Sequence, residues 1–322
     1  MIAILLVALA AGAASALMFV SIVSGALISL LLLCLAPLPL MVAALGWGPL
    51  CASLGGVIAA AALAILFGSP LGVAFALAVV LPAWWLGHLA LLGRPQPSAI
   101  ASGSAVEPGL EWYPVGRLLL WIAGFATLTT AAALLTMGND AATINNSLRS
   151  ALLQFLKVVA TESSARDIER LADMLAMLAP ETAAIMAVMT LTLNLWLAAS
   201  IAATSGRLQR PWPDLKNTAL PPMTLAALSI ALALCFTGGL PGLLAQIAAT
   251  AMLMGYAFIG FAVLHTVTQS LNARAFWLAG AYAIVVMFSW LLLVMIALGI
   301  ADAVFGFRAR YLRRRPPPLP AS

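Results

Sequence analysis

Six polar side chains lie in stretches that are otherwise apolar, and their types are those that recognise a ligand by hydrogen bonding. Asn194 and Thr190 are one helical turn apart in an uncharged run. A carboxamide at membrane depth costs free energy unless it finds a partner. Asn194 therefore marks either an interhelical hydrogen bond or a binding group. Gln246 and Thr250 repeat the one-turn spacing, which suits a polar cavity lining or a contact with another helix. Tyr256 offers a large apolar body with one hydroxyl, and His265 lies near the end of an apolar run, where an interfacial position and a proton relay are the alternatives.

Bond-making chemistry finds little support. No GxxxxGK[ST] loop is present to cradle phosphates, no HExxH to hold zinc and no GxSxG nucleophile turn. No carboxylate pair sits inside an apolar segment to act as acid and base. Cys34, Cys51 and Cys235 lack metal-ligand spacing and read as small buried hydrophobes. The expectation is a non-enzyme without metal or cofactor.

The elements that must position these groups are membrane helices. The chain is 64% hydrophobic and 8% charged, with mean hydropathy +1.10, whereas about a quarter of residues are charged in ordinary globular domains. From Met1 to Gly93 there is no Asp, Glu, Lys or Arg. At about 20 apolar residues per helical crossing, that stretch alone supplies roughly four. The fold class expected is an all-α polytopic transmembrane bundle of eight or nine crossings. Met1 runs straight into apolar sequence without a basic n-region, so the first helix is expected to stay as a membrane span.

Apolar runs mark crossings near 2–22, 26–46, 48–68, 71–92, 115–137, 181–203, 243–266 and 276–300, with a marginal one at 223–237. Pro37 and Pro39 interrupt the second, which a bilayer tolerates only where neighbours satisfy the freed backbone. The third carries Gly48, Ala52, Gly56, Ala60, Ala64 and Gly68 every fourth residue, a smooth ridge for close packing within one protomer or against a partner subunit. Trp84, Trp85 and His88 near the end of the fourth suggest an interfacial belt. Between crossings five and six, residues 138–180 hold a capping pair, Ser164 and Asp167, before Ile168, Leu171, Leu175 and Leu178 at helical spacing. That predicts an amphipathic helix of about four turns lying on the membrane or packing over the bundle. Three regions result: a six-crossing unit over 1–203 that includes this insert, further helices over 204–300, and a basic Pro-rich tail over 301–322.

Charge then sets orientation. Arg207, Arg210 and Lys216 fall in one linker, and Arg308, Arg310, Arg313, Arg314 and Arg315 in the tail. The positive-inside tendency places both in the cytoplasm. That holds if 223–237 does not fully cross, giving eight crossings with both termini inside and 138–180 outside; nine crossings is the alternative. The tail's arginines fit anionic headgroups, so a lipid bilayer rather than nucleic acid is the expected partner.

The segments LAPLPLMVAALGWG, LPAWWLGHLALL, EWYPVGRLL, RPWPDL and LGIADAVFGFRAR together resemble the YybS-like family of uncharacterised polytopic bacterial membrane proteins, which implies residence in a bacterial cytoplasmic (inner) membrane and assigns no functional residues. Residues 1–203 are more distantly similar to the substrate-binding S components of energy-coupling-factor transporters. That likeness implies a six-helix unit whose small-residue ridge docks a separate transmembrane coupling subunit. The function expected is a small-molecule binding or transport component that is not itself an ATPase, working with such a subunit or as a homo-oligomer. The alternative is a non-catalytic membrane assembly or scaffold protein.

Overall fold

The computed structural model describes residues 2–95, 110–159, 164–213, 218–271 and 273–313. Lys216, most of the 94–114 linker and residues 314–322 of the tail lie outside the described residues.

Chain order runs α1 (Ile2–Val20), α2 (Leu27–Leu35), α3 (Pro37–Trp47), α4 (Pro49–Phe67), α5 (Ser69–Phe75), a π-helical turn (Ala76–Val80) and α6 (Leu81–Ala90). Two short antiparallel strands follow, β1 (Gly93–Pro95) and β2 (Leu110–Trp112), pairing Arg94 with Glu111. Then come α7 (Val115–Leu135), α8 (Ala141–Val159), α9 (Ala165–Thr204), α10 (Met223–Leu234), α11 (Gly239–Val267), α12 (Arg274–Met287), α13 (Leu292–Phe305) and α14 (Phe307–Arg313). Helices dominate because lipid offers no partner to a bare N–H or C=O, and a helix satisfies both within itself. Large apolar side chains such as Leu50, Ile65 and Val286 are exposed on the outer surface. That surface suits hydrocarbon and not water.

Among the described residues, seven helices are long and apolar enough to cross a bilayer. The prolines shape several of them. Pro37 and Pro39 split the second crossing into α2 and α3. Ahead of Pro82 the helix widens into the π turn, where the Leu81 N–H bonds the Ala76 carbonyl; a wider turn relieves the clash of a proline ring with the preceding turn.

Contacts define the two ends of the bundle. At one end, the Cys51 thiol donates to the Ile4 carbonyl, setting the start of α1 beside the start of α4. Arg207 lies over the Trp47 ring at 4.4 Å, and Arg210 bonds the Ala90 carbonyl, so the linker after α9 meets the ends of α3 and α6. At the other end, Leu134, Ile144, Ala184 and Ile247 form one apolar cluster with Leu240 against it. The first is the basic end.

These contacts change the expected path in two places. The short helix from Met223 to Thr237 carries the chain from one end of the bundle to the other: it leaves the basic end after Thr218, and Leu240, just beyond it, packs against the far-end cluster that holds Ile144. Its 15 residues span about 22 Å, short of a hydrocarbon core of about 30 Å. The last apolar run, by contrast, is not one straight crossing. α12 and the stretch Ser289–Phe305 are bent by 116°. Arg274 at its start and Thr218 line one cavity, while Arg308 just past its end donates to the Thr218 carbonyl at 2.7 Å. Both ends therefore return to the basic end, and the pair is re-entrant. Eight crossings result, with Ile2 and the described part of the tail at the same end.

The amphipathic insert holds two helices where a single one, lying on the membrane or packing over the bundle, was expected. It is a helical hairpin, in which α8 packs on the first half of α9 through Leu156, Ile168 and Ala172, with Arg149 paired to Asp173. The Ser164 cap is present, its hydroxyl accepting from the Asp167 N–H at 3.2 Å. Asp140 caps α8 in the same way through Thr143. α9 has 40 residues, about 60 Å of helix, so the hairpin stands clear of the bilayer at the far end. Residues 301–305 complete α13 and 307–313 form α14, with Gly306 left-handed between them, where a tail was expected.

The small-residue ridge packs inside the chain. Added to Gly56, a Cβ would run into the Val80 side chain; added to Gly72, it would meet Ala60 and Ala64. The adjoining face of α4, through Gly55, carries α1. Gly48 and Gly68 flank the helix at φ 100° and 99°, so the stripe ends where they were expected to extend it. The ridge residues Ala52 and Gly56 are buried within the chain, and Ala60 and Ala64 are half-buried.

Candidate functional site

A cavity of about 770 Å³ opens at the basic end between α7, α9, α11 and α12. Its roof is a strap, residues 208–213, whose path follows from the end of α9. Gly206 takes φ 65° just past that helix. Its N–H bonds the Ala203 carbonyl, and the Arg207 N–H bonds that of Ala202. This paired closure needs a left-handed residue, which glycine adopts without a Cβ penalty. The chain then doubles back as Leu208 to Pro213, with Pro211 and Pro213 limiting its freedom. Arg210 fastens it by donating to the Ala90 carbonyl at 3.2 Å, one of the open acceptors at the end of α6.

The cavity has two chemistries. Its wall is mostly apolar, from Leu118 and Ile122 on α7, Leu193 and Trp196 on α9, and Phe258 and Phe261 on α11. The polar part gathers near the strap: Arg210, Thr218, His265, Gln269, Arg274 and Tyr282. His265 Nε2 lies 2.8 Å from the Tyr282 hydroxyl. Thr192 and Thr218 also line the cavity, and each keeps a buried hydroxyl without a partner. Burial pulls the Arg210 guanidinium below its usual pKa, since desolvation opposes the charged form. Among the described residues, no carboxylate lines the cavity. Cavities of this size and lining suit a small molecule that is largely apolar with a few fixed polar contacts.

The six residues singled out from the sequence do not gather at one place. His265 lines this cavity. Tyr256 lines a second one of about 410 Å³, beside the buried Asp302–Arg308 ion pair, and its hydroxyl has no partner. Asn194 is fully buried, donating to the carbonyls of Cys34 and Thr190 at 2.7 Å each. Gln246 and Thr250 lie half-buried on α11 and line neither cavity. Among the described residues, no three His, Cys, Asp or Glu come together as a metal site.

Arg210, Trp212, Gln269, Arg274 and Tyr282 were not expected as site residues. RPWP was visible as a motif, and Arg274 is an isolated charge between two apolar runs. What the sequence lacks is the fold-back at Gly206 and the return of α12, which bring them together.

A family model described as "Predicted membrane protein (DUF2232)" matches residues 13–303. No curated protein and no solved structure matches.

Proposed function

We propose, for a chain that belongs to the DUF2232 family of predicted membrane proteins, that it is a bilayer-embedded small-molecule binding component whose ligand occupies the cavity beneath the 208–213 strap. The observation that carries this reading is the cavity itself: about 770 Å³, apolar over most of its wall, with polar groups from the strap, Thr218, α11, the turn after it and α12 toward the basic end. The sequence has no GxxxxGK[ST] loop, which leaves any transport to a separate coupling subunit or to gradients. With its arginine-rich end in the cytoplasm, the protein resides in a bacterial inner membrane.

Native mass spectrometry of the chain purified in a nonionic detergent tests this. A small-molecule adduct is expected on the parent and is lost in Ala199→Trp, which fills the cavity. A folded parent with no adduct, and no exogenous ligand that binds, overturns the reading.

A second reading, as an assembly protein, is favoured by one feature. The hairpin beyond the bilayer exposes Phe155, Val158, Met174 and Met177, apolar side chains of the kind that mark contact surfaces. Cross-linking from Met177→Cys in native membranes distinguishes it: a discrete protein adduct supports a hairpin partner, and lipid adducts alone count against one.

A further inference from the structure

Among the described residues that line the strap cavity, the charged side chains are arginines. Three arginines elsewhere pair with carboxylates, Arg94 with Glu111, Arg149 with Asp173 and Arg308 with Asp302, and Arg207 instead lies over the Trp47 ring outside the cavity lining. Arg210 and Arg274 both line the cavity, and neither has a carboxylate within ion-pair distance among the described residues. Arg210 is partly buried, and of its five N–H donors one bonds the Ala90 carbonyl. Arg274 makes a long contact of 3.5 Å to the His265 carbonyl. Guanidinium groups that line a largely apolar cavity, with no carboxylate paired to them among the described residues, favour an anion, and their planar fork matches carboxylate and phosphate oxygens.

Below those two groups the lining becomes hydrocarbon. Leu118, Ile122, Leu193 and Phe258 offer no hydrogen bond, so a compact hydrophilic anion would leave that volume without favourable contacts. A ligand that fits both parts has an oxyanion at one end and an apolar chain at the other.

We propose that the cavity holds a single-chain lipid anion, its phosphate or carboxylate between Arg210 and Arg274 and its acyl chain along Leu118, Ile122, Leu193 and Phe258. This rests on the cavity being the ligand site and adds the class of ligand. Gln269 and His265 supply further polar contacts at the head, and Trp212 on the strap covers it. Leu193 and Trp196 of the wall are half-exposed on the outer face of α9, so an acyl chain reaches the cavity from the surrounding bilayer.

The test is a titration of the full chain in nonionic detergent, followed by native mass spectrometry and by tryptophan fluorescence, since Trp196 and Trp212 line the cavity. The probes are palmitoyl lysophosphatidate, palmitate, the neutral monopalmitoylglycerol and inorganic phosphate. The two charged amphiphiles are expected to bind about tenfold or more tightly than the neutral one, as charge-assisted hydrogen bonds imply. Inorganic phosphate is expected not to compete, which separates a lipid headgroup from a free anion. Arg274→Gln is expected to erase most of the preference for charge without weakening monopalmitoylglycerol, and Arg210→Lys to retain more of it than Arg210→Gln. Arg274 is exposed, so its variant keeps the test available if an Arg210 variant loosens the strap. Equal affinity for the neutral and charged amphiphiles, or an Arg274→Gln variant that binds like the parent, overturns the anion assignment and leaves the cavity reading standing. Binding of none of the four by the folded parent overturns both.

Discussion

The carboxamide of Asn194 donates to the backbone carbonyl of Cys34 at 2.7 Å, joining α9 to the end of α2 just before the Pro37 break. Its second hydrogen goes to the Thr190 carbonyl, also at 2.7 Å. Both partners are acceptors, which fixes the nitrogen rather than the oxygen toward them. A proline-broken helix in lipid leaves carbonyls that water cannot reach, and the amide serves one of them.

Asn194→Leu should therefore destabilise the bundle by about 1–3 kcal/mol, the usual cost of a stranded buried polar group. Asn194 does not line the strap cavity, so binding by the folded fraction should be unchanged. Thermal unfolding in detergent alongside a ligand titration checks both halves. Lost binding at unchanged stability would contradict this role.

That polar group was legible in the sequence because an amide in an uncharged run is conspicuous, and so was the need for something to satisfy the broken helix at Pro37. The bundle itself was legible for the same reason, since runs without charge leave few alternatives to membrane helices. The path was harder. Met223 to Thr237 is short enough to look incomplete, and Phe276 to Ile300 long enough to look like one span; only packing shows that the first crosses and the second turns back. The strap cavity was less legible still, because Arg210 is distant in sequence from His265 and Arg274 and lines the same cavity only through the fold-back at Gly206 and the return of α12.

Topology reporters discriminate the two paths. A fluorescent protein inserted at Gly206 or fused after Ser322 should fluoresce, as it does only in the cytoplasm. An alkaline phosphatase fusion at Gly238 should be active. An inactive fusion there, with Gly206 cytoplasmic, would mean that α10 does not cross.

The ion pair between Asp302 and Arg308 closes the re-entrant segment. Asp302 accepts from the Arg308 backbone N–H at 2.8 Å and from its Nε at 2.7 Å, while Nη2 reaches Thr218. Both side chains are only 6% exposed. Arg308→Met should cost about 3–5 kcal/mol by stranding a buried carboxylate, and the double variant Asp302→Leu with Arg308→Met should recover part of it. Denaturant unfolding in mixed micelles measures the difference; a double variant no better than the single one would argue against charge stranding.

Two adjacent glycines on α4 should respond unequally. A Cβ on Gly55 would collide with the backbone carbonyl of Ala8, whereas one on Gly56 would collide with the Val80 side chain. Backbone cannot step aside, and a side chain can change rotamer. Gly56→Ala should lie near the low end of the about 1–3 kcal/mol typical of overpacking, and Gly55→Ala at or beyond its high end. The reverse order in detergent melts would mean that α1 moves away from α4 more easily than Val80 does.

α12 is held to the bundle lightly, and this bears on how a ligand reaches the cavity. None of its residues is buried. Its ties to α11 include the His265–Tyr282 hydrogen bond and the stacking of Tyr282 on Phe261, with centroids 5.2 Å apart. Because Tyr282 also lines the cavity, releasing it widens the cavity on that side. Tyr282→Phe keeps the stacking and loses a bond worth about 0.5–1.5 kcal/mol; Tyr282→Ala loses both. Hydrogen exchange over 274–287 should accelerate modestly in the first variant and strongly in the second, while α11 keeps its protection. Ligand dissociation should quicken in the same order, since an element that opens more often lets go more often. If exchange accelerates and dissociation does not, the ligand leaves by another route, with the strap at Arg210 the next place to look.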